Sequence, residues 1–455
     1  DGGQTIDDIS RLNEATVAAV IQPTTVAALV AAVQDARSEG RNLSISGVRH
    51  SQGAHTFVEG GTVIDMTDYN QILAVDTANK TIRVQAGASW DDIQRAINPH
   101  GLAVITMQSS NVFTVGGSIS ANVHGRDPSA SVIIDTVLFM KVLKPDGRIV
   151  TVSRKENPAL FRLVVGGYGL FGIILEATLQ LTDNAVLAKT AAMMDYSEFP
   201  AYFEANIRNG DVKLFIARPS IAPSSLMRET VVTTWATTDA VPEGDITTLG
   251  EEKNVKRDKL VFGDSRRSSG GKERRWSLQK ALIAKPGKVE LVTRNNAMRP
   301  PTTPLEFLDY DSPDDTDIVQ EYYIPVGQFV AFSDAVRNVV ETQDVNLLGV
   351  TIRFVEANPY AFLSYAMEDS FSFMLYTNQG RDAAGRAAAE KMTHALVDAA
   401  HAVGGKHYLA YQRWPTMAQV RTSYPYIDQF FDEKTKRDPD GVFVSGFYRH
   451  YARQR

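Results

Sequence analysis

The chain has 455 residues, 44% of them hydrophobic and 22% charged, with a formal net charge of −6. This length predicts two or three packed lobes, and the negative charge gives no whole-protein attraction for nucleic acid. The absence of cysteine excludes disulfides, thiolate nucleophiles and cysteine-ligated metal sites.

The first hundred residues, in chain order, predict alternating helices and strands. Thr25–Gly40 has the apolar spacing of a helix that ends at a glycine. The stretches "LSISG", "GTVIDMT" and "TIRVQAGA" are typical of short strands. Ser89 is expected to cap a second helix that has acidic residues in its first turn. This alternation indicates an α/β or α+β domain.

The next stretch adds glycine-rich loops and a hairpin. "VFTVGGSISANVHG" is a glycine-rich loop, and "KPDG" predicts a tight turn between two strands. "ENPALFRLVVGGYGLFGIILEATLQL" predicts a helix, a further glycine-rich turn and a long strand. The glycine motifs cease after Asn184, so we place a domain boundary near residue 184.

Residues 251–288 form a basic segment, with twelve lysines and arginines against five acids. It contains few apolar residues, which favours a mobile, solvated surface loop. Two alternatives are a basic lid over an anionic substrate and a peripheral contact with anionic lipid.

Residues 318–379 predict strand, helix, strand and strand, and "AAGRAAAEKMTHALVDAAHAVGG" predicts an amphipathic helix after them. This order indicates an antiparallel sheet with helices on one face. The tail predicts a helix, a turn and a closing segment.

The glycine-rich loops at 46–53, 114–125 and 166–172 each adjoin a predicted strand. Glycine lets backbone N–H groups approach an anion closely. None of the loops matches the dinucleotide fingerprint or the P-loop. Together they favour a large ligand that contains a pyrophosphate.

In this order and spacing, "SGVRHS", "TVGGSISANVHG" and "GGYGLFGIILEATLQL" resemble the FAD-binding domain of the vanillyl-alcohol oxidase superfamily. The chain is most similar in appearance to the branch that holds decaprenylphosphoryl-ribose oxidase and the alditol and sugar-lactone oxidases. The resemblance implies an α+β fold with a two-lobed FAD-binding domain at 1–183. A substrate (cap) domain would follow at 184–407, with an antiparallel sheet covered by helices. Residues 408–455 would return to the FAD domain.

The resemblance implies that the glycine-rich loops bind FAD. The expected cofactor-binding residues are Ser46, Gly47, Val48, Arg49, His50, Ser51, Ser109, Ser110, Thr114, Gly116, Gly117, Ser120, Ala121, His124, Gly125, Ile173, Ile174 and Tyr408.

His50 occupies the position at which many members of this family bind the flavin covalently through a histidine. The resemblance therefore implies a covalent bond between FAD and His50. The alternative is that His50 only hydrogen-bonds to nearby groups. His55 matches no family role and is expected to be a satisfied loop histidine.

The resemblance also suggests catalytic residues on the substrate strands, the tail and the second glycine loop: Glu321, Tyr323, Tyr411, Arg413 and His124. The alternative for His124 is a structural loop contact. Arg353 is a further candidate because it is a lone charge in an apolar strand, and its alternative is an edge or snorkelling arginine. Glu321 and Tyr323 alternate in "QEYYIP" and so share one face of a strand. Tyr323 and Tyr411 stand where the branch has an arginine and a lysine. Tyr411 or Arg413 would then supply the proton relay or the alkoxide contact.

These residues predict an FAD-dependent oxidoreductase that takes a hydride from an alcohol carbon of a sugar, polyol or related hydroxylated compound. Oxygen or another acceptor would reoxidise the flavin. One alternative is an oxidase of a phenolic or amine substrate, favoured by Tyr322, Tyr323, Phe371, Phe373 and Tyr376. The other is a flavin-binding protein without turnover.

The sequence contains no residue spacing typical of a metal site and no G-x-S-x-G motif. The chain begins at Asp1 rather than Met, so we expect that an upstream segment was removed or left out. The sequence does not determine the cellular compartment, although it favours an exported or membrane-associated protein. No apolar run reaches the length of about eighteen residues that a membrane-spanning helix needs.

Overall fold

The computed structural model describes residues 3–208, 210–299 and 310–455. Residues 209 and 300–309 belong to the predicted cap domain, and that part of the prediction lies outside the described residues. The protein has a mixed fold of helices and sheets.

The strands before residue 184 lie in separate small sheets. β1 pairs with β2, β3-β5-β4 form a parallel sheet, and β10-β9-β11-β7-β6 form an antiparallel sheet to which β8 adds by pairing with β11. Their bounds are β1 (Gln4–Ile6), β2 (Ala15–Val17), β3 (Ala19–Ile21), β4 (Leu43–Ser46), β5 (Thr62–Asp65), β6 (Ile72–Asp76), β7 (Thr81–Gln85), β8 (Leu102–Val104), β9 (Val137–Leu143), β10 (Ile149–Val152) and β11 (Ile173–Asp183).

Three of the four helices of this region lie where the sequence predicts helices, whereas the third in chain order forms inside the predicted glycine-rich loop at 114–125. The four helices are α1 (Val26–Glu39), α2 (Trp90–Ile97), α3 (Val115–Ser120) and α4 (Pro158–Val164). Gly40 closes α1 in the left-handed conformation, and Ser89 caps α2 in a capping box with Asp92. The predicted hairpin turn at Pro145–Gly147 joins β9 to β10. These predictions are confirmed because the signals act within a few residues.

A second, larger sheet follows residue 184. Its strand order is β15-β12-β14-β13-β17-β18-β16-β19, and its described pairings are antiparallel. The bounds are β12 (Val186–Asp195), β13 (Val212–Pro219), β14 (Glu229–Thr237), β15 (Glu290–Thr293), β16 (Asp315–Pro325), β17 (Asn346–Val355), β18 (Ser370–Gly380) and β19 (Lys406–His407).

The two long helices at 329–342 and 383–402 cover one face of this sheet, and the other face borders the site. The helices of the region are α5 (Phe199–Tyr202), α6 (Val255–Arg267), α7 (Ser269–Ile283), α8 (Arg294–Ala297), α9 (Phe329–Thr342) and α10 (Ala383–Ala402). Val336 of α9 and Leu396 of α10 share a buried core with Tyr322 and Phe373 of the strands. Because neighbouring strand residues point to opposite faces, Glu321 and Ser372 lie on the other side of the sheet.

The prediction of a loop at 251–288 is wrong for most of its length, which forms α6 and α7. Two aromatic residues, Phe262 and Trp276, are buried and anchor the helices. Two of the cations donate hydrogen bonds to backbone carbonyls. Lys272 Nζ donates to the carbonyl of Leu347 at 2.6 Å, and Arg275 donates to that of Leu348. A low apolar content therefore did not prevent packing.

The last part of the chain contains α11 (Met417–Ser423), α12 (Ile427–Arg437) and α13 (Gly446–Ala452). Between α12 and α13 the backbone runs beside β4: Leu43 N donates to Val442 O at 2.7 Å, and Val444 N donates to Leu43 O at 2.9 Å. Among the described residues, no helix combines the length and the apolar character needed to cross a membrane.

Candidate active site

A cavity of about 690 Å³ separates the first two glycine-rich loops from the open face of the large sheet. Residues 47–52 and 108–124 supply one wall, and β13, β16, β17 and β18 supply the other. Side chains of α6 and α7 line a further side. The site is therefore assembled from segments that are far apart in the sequence.

The loop Gly47–Ser51 follows β4 and has the geometry of an anion site. Its backbone N–H groups donate to no acceptor within the described residues, and Arg49 has a positive φ of 59°. Gly47 is required here, because a Cβ would lie 2.4 Å from the Oγ1 of Thr114, which caps α3. Unpaired amides on such a turn can hold a phosphate oxygen.

A smaller cavity, of about 60 Å³, continues the groove on the same side. It shares Gly47, Ser51, Thr114, Gly117 and Ala121 with the large cavity. An elongated ligand with a phosphate in its middle would fit the two together.

The two cavities contact most of the predicted cofactor residues. The large one is lined by Gly47, Val48, Arg49, His50, Ser51, Ser109, Ser110, Thr114, Gly117, Ala121, His124 and Tyr408, and the small one adds Ser46, Gly116, Ser120 and Ile174. Gly125 and Ile173 line neither. Gly125 is tightly packed on the backbone at Met107, and Ile173 is fully buried in β11.

His50 borders the large cavity with its ring edge-on to Phe113. The ring makes no hydrogen bond within the described residues. Burial lowers the pKa of His50 to about 4, so its imidazole is neutral near pH 7.

His55 differs, because both of its ring nitrogens are engaged. Nδ1 accepts from Gly53 N at 3.2 Å, and Nε2 lies 2.8 Å from the carbonyl of Leu409. The ring also stacks on Phe447. His55 is a satisfied loop histidine, as predicted.

The structure brings His124 and Glu321 into contact across 197 residues of sequence. His124 Nε2 lies 2.5 Å from Glu321 Oε1, and both side chains are buried. Burial alone would raise the pKa of Glu321, but the charge and hydrogen bond of His124 outweigh it. With help from Arg353 and Ser372, they lower that pKa to about 2, so Glu321 is a carboxylate at neutral pH.

Tyr411 completes the surroundings of this carboxylate. Its hydroxyl faces Glu321 Oε2 at 3.5 Å, while Ser372 Oγ donates to Oε1 at 2.5 Å. Burial, followed by the charge of Glu321, raises the pKa of Tyr411 well above its usual value. Tyr411 is therefore a protonated hydroxyl that borders the cavity.

Arg353 lies on the same face of the sheet and also borders the cavity. The residue is only 3% exposed. Its Nε has no acceptor within the described residues, and its Nη2 lies 3.9 Å from the Sδ of Met374. This cation therefore faces the cavity without a protein acceptor at Nε.

Two predicted catalytic residues do not line the cavity. Tyr323 stacks on Tyr365, with ring centroids 4.1 Å apart, and meets the ring of His124 edge-on. Arg413 donates to Gly446 O and to Asn13 Oδ1, both at 3.1 Å. Arg413 therefore lies outside the cavity lining, and its predicted catalytic role stays a prediction. Arg413 follows Tyr411 by two residues, but its side chain is directed to Gly446 and Asn13 and not to the cavity.

The sequence analysis missed residues on the central strands that line or support the site. Met374 of β18 and Arg218 of β13 border the cavity, and Ser372 holds Glu321. Their signal was the alternation along each strand: residues 372, 374 and 376 share the face of residue 353.

Most of the aromatic residues that favoured a phenolic or amine substrate belong to the hydrophobic core. Tyr322, Phe371 and Phe373 are buried in the core beneath the helices. Tyr376 alone of that set borders the cavity, as far as the described residues show. The cavity wall is therefore less aromatic than the composition suggested.

Comparison of the sequence with known proteins identifies similarity over part of the chain. A family model described as "FAD binding domain" matches residues 17–153. Decaprenylphosphoryl-beta-D-ribose oxidase of Mycolicibacterium smegmatis is 36% identical over 176 residues, which are 37% of this chain and 37% of that protein.

Two further similar proteins are named as a lactone oxidase and a lactone dehydrogenase. L-gulonolactone oxidase of Mus musculus is 25% identical over 44% of this chain and 45% of its own length. L-galactono-1,4-lactone dehydrogenase 1, mitochondrial, of Oryza sativa subsp. japonica is 29% identical over 39% of this chain and 30% of its own length. The alignments therefore span less than half of each of these relatives.

Proposed function

We propose that this homologue of vanillyl-alcohol oxidase superfamily flavoenzymes, whose residues 17–153 are an FAD-binding domain, oxidises an alcohol carbon of a sugar, polyol or related hydroxylated compound. The observation that carries the proposal is the buried Glu321–His124 pair, which joins the two walls of the cavity. In this proposal, residues 184–407 act as the substrate (cap) domain. Oxygen or another acceptor reoxidises the cofactor.

The residues present fit FAD. The Gly47–Ser51 loop offers unpaired backbone donors to the pyrophosphate. The hydroxyls of Thr56 and Ser110, both buried in the cavity wall, have no partner within the described residues and suit polar groups of the ligand. Tyr408 borders the cavity and is held by its hydroxyl on the Ala121 carbonyl at 2.5 Å.

When bound, FAD supplies the two-electron acceptor that takes a hydride from the alcohol carbon. The protein must then remove the hydroxyl proton as the carbonyl forms. Tyr411 is suited to accept a hydrogen bond from the substrate hydroxyl while its own O–H is directed to Glu321 Oε2. The proton would pass to Tyr411 as the proton of Tyr411 passes to Glu321.

His124 and Ser372 position this base. Both bind Oε1 of Glu321, which leaves Oε2 directed to Tyr411. The carboxylate thus keeps one orientation through two short hydrogen bonds. Arg353, in the same wall, adds positive charge near a developing alkoxide.

The covalent bond to His50 is part of the proposal. A neutral imidazole with no hydrogen-bond partner in the described residues is a suitable nucleophile towards the flavin. Its position in the cavity wall supports the assignment.

The first test is the absorption spectrum of the purified protein before and after acid precipitation. We expect flavin absorbance that stays with the precipitate in the wild type and moves to the supernatant in His50→Ala. Release from the wild type would contradict the covalent bond but not the FAD site. A colourless protein that takes up no added FAD would overturn the whole proposal.

The second test is anaerobic reduction of the bound flavin by a panel of sugars, sugar lactones and polyols. We expect bleaching of the flavin by at least one class. A protein that retains flavin and is reduced by no alcohol in the panel would instead be a flavin-binding protein without turnover.

A further inference from the structure

Gln52 is a buried polar residue directly after the Gly47–Ser51 loop, and the proposed function does not use it. It is 2% exposed and borders the large cavity. It follows His50, the proposed site of the covalent bond, by two residues. Its contacts therefore bear on how the protein holds the cofactor.

The backbone of Gln52 is held from two sides. Its N–H donates to the carbonyl of Ala410 at 2.8 Å, and its carbonyl accepts from Asn13 Nδ2 at 3.0 Å. Ala410 lies between Tyr408 and Tyr411 in the chain, and all three residues border the cavity. Gln52 thus has a fixed position where the first glycine-rich loop meets the C-terminal segment.

The side chain of Gln52 reaches across to β16. Its Oε1 accepts from the backbone N–H of Val319 at 3.1 Å, and Val319 borders the cavity two residues before Glu321. Because a backbone N–H can only donate, the carboxamide oxygen must make this contact, and the orientation of the carboxamide is fixed. With Oε1 directed to β16, Nε2 is the polar atom that remains for the cavity.

The Nε2 of Gln52 carries two N–H donors, and it donates to no acceptor within the described residues. A donor in a buried wall is unfavourable unless a ligand or a water molecule supplies its acceptor. The nearby donors are already directed to one carboxylate, since His124 and Ser372 bind Oε1 of Glu321. The Tyr411 hydroxyl faces Oε2 of the same group. Gln52 is therefore a neutral donor held beside the strand that carries Glu321.

We propose that Gln52 binds the flavin ring of FAD, with Nε2 donating to a carbonyl oxygen or a ring nitrogen, and thereby raises the reduction potential of the cofactor. The inference rests on the proposed function and adds a cofactor-binding residue to the same site. Gln52 follows His50 by two residues, and the proposed bond to His50 places the ring at that end of the loop. This position favours the ring over the pyrophosphate as the partner of Nε2.

The physical reason for a higher potential is the charge that reduction adds. The ring takes up two electrons and a proton as a hydride from the alcohol carbon, so its acceptor atoms become more negative. A hydrogen bond to one of them is then stronger in the reduced state. A contact with the substrate is the competing assignment. The cofactor is favoured because residues 47–52 form one wall with the loop that is proposed to hold FAD.

The test is the midpoint potential of the FAD-loaded protein, measured anaerobically by titration with dithionite beside an indicator dye. Gln52→Met keeps the approximate size of the side chain and removes the donor. We expect it to lower the potential by about 30 mV or more, which is a ten-fold change in the equilibrium constant of a two-electron reduction. The resonance Raman bands of the flavin ring should shift in the same variant, which a purely structural role would not cause.

Two further variants separate donation from other effects. Gln85→Met is the matched control, because Gln85 Oε1 also accepts from a backbone N–H, that of Gln71 at 2.9 Å, but Gln85 borders neither cavity. It should keep the wild-type potential. Gln52→Glu keeps an oxygen for the N–H of Val319 and loses the donor. At pH 9, where the new carboxylate is charged, it should lower the potential further than Gln52→Met does.

An unchanged potential and Raman spectrum in Gln52→Met would overturn the inference. A lowered potential in Gln52→Met with a wild-type potential in Gln52→Glu would also overturn it, because Gln52 would then act only by joining the two walls. If an alcohol reduces the retained flavin but the potential does not respond to Gln52, the proposed function stands and the inference fails. If the potential responds but no alcohol reduces the flavin, the inference stands and the proposed oxidation of an alcohol fails.

Discussion

Lys434 in α12 and Arg353 in β17 are both buried cations, but their surroundings differ. Lys434 pairs with Asp438 one helical turn on, and Asp438 also accepts from the backbone N–H groups of Val442 and Phe443, both at 2.9 Å. Arg353 has no acceptor at Nε within the described residues and faces a cavity.

The difference separates a cation that completes the fold from a cation that borders the candidate site. The Lys434–Asp438 pair is complete without a ligand and holds the segment that runs beside β4. Arg353 has an Nε without an acceptor in the described residues, and its positive charge helps to lower the pKa of Glu321. Burial of charge alone would not distinguish the two, since both residues are almost fully buried. Four substitutions test the distinction.

The largest effect is expected from Lys434→Met. It leaves the carboxylate of Asp438 buried and without its cation, which should cost about 3–5 kcal/mol of unfolding free energy. Urea denaturation would measure the loss. Arg437→Met, which breaks the half-exposed pair with Glu433, is the control and should cost about 0–1 kcal/mol. Equal losses would show that the buried pair has no special structural role.

Glu321→Gln tests the other side of the comparison. It removes the proposed base but keeps the size of the side chain, so flavin reduction should slow by about 10²-fold or more. Anaerobic stopped-flow measurements would give the rate. The flavin content should match that of the wild type, since the cofactor loop is in the opposite wall. Unchanged reduction would remove Glu321 from the mechanism.

Arg353→Met should change the unfolding free energy by less than about 1 kcal/mol, because no described ion pair is lost. The variant Lys434→Met provides the contrast in the same denaturation series. A loss comparable to that of Lys434→Met would mean that Arg353, like Lys434, mainly stabilises the fold.

Ser372→Ala should have the smallest effect. The folded-state pKa of Glu321 is depressed, so the stability it contributes is present above its ordinary value of 4.5 and is lost as the pH falls through about 2. Removing the Ser372 donor should raise this pKa and move the acid limb of the pH–rate profile to higher pH. The rate at pH 7 should hardly change. A limb that stays in place would show that Glu321 is not the titrating group.

Local signals in the sequence predicted much of the secondary structure before residue 184. The caps of α1 and α2, the hairpin turn at Pro145–Gly147 and the glycine loop at Gly47–Ser51 each depend on a few consecutive residues. The same is true of Glu321 and Tyr323, which share a strand face by alternation. Such features follow from backbone sterics and side-chain period, and these act at short range.

The sequence by itself thus determined the glycine loops, the helix ends and the faces of the strands. Only the tertiary structure brought His124 to Glu321, joined Arg353 and Arg218 on one wall, and turned Arg413 away from it. It also packed residues 255–283 as helices through Phe262 and Trp276. The physical reason is that these contacts depend on strand order and on burial between distant segments, which local propensity does not encode.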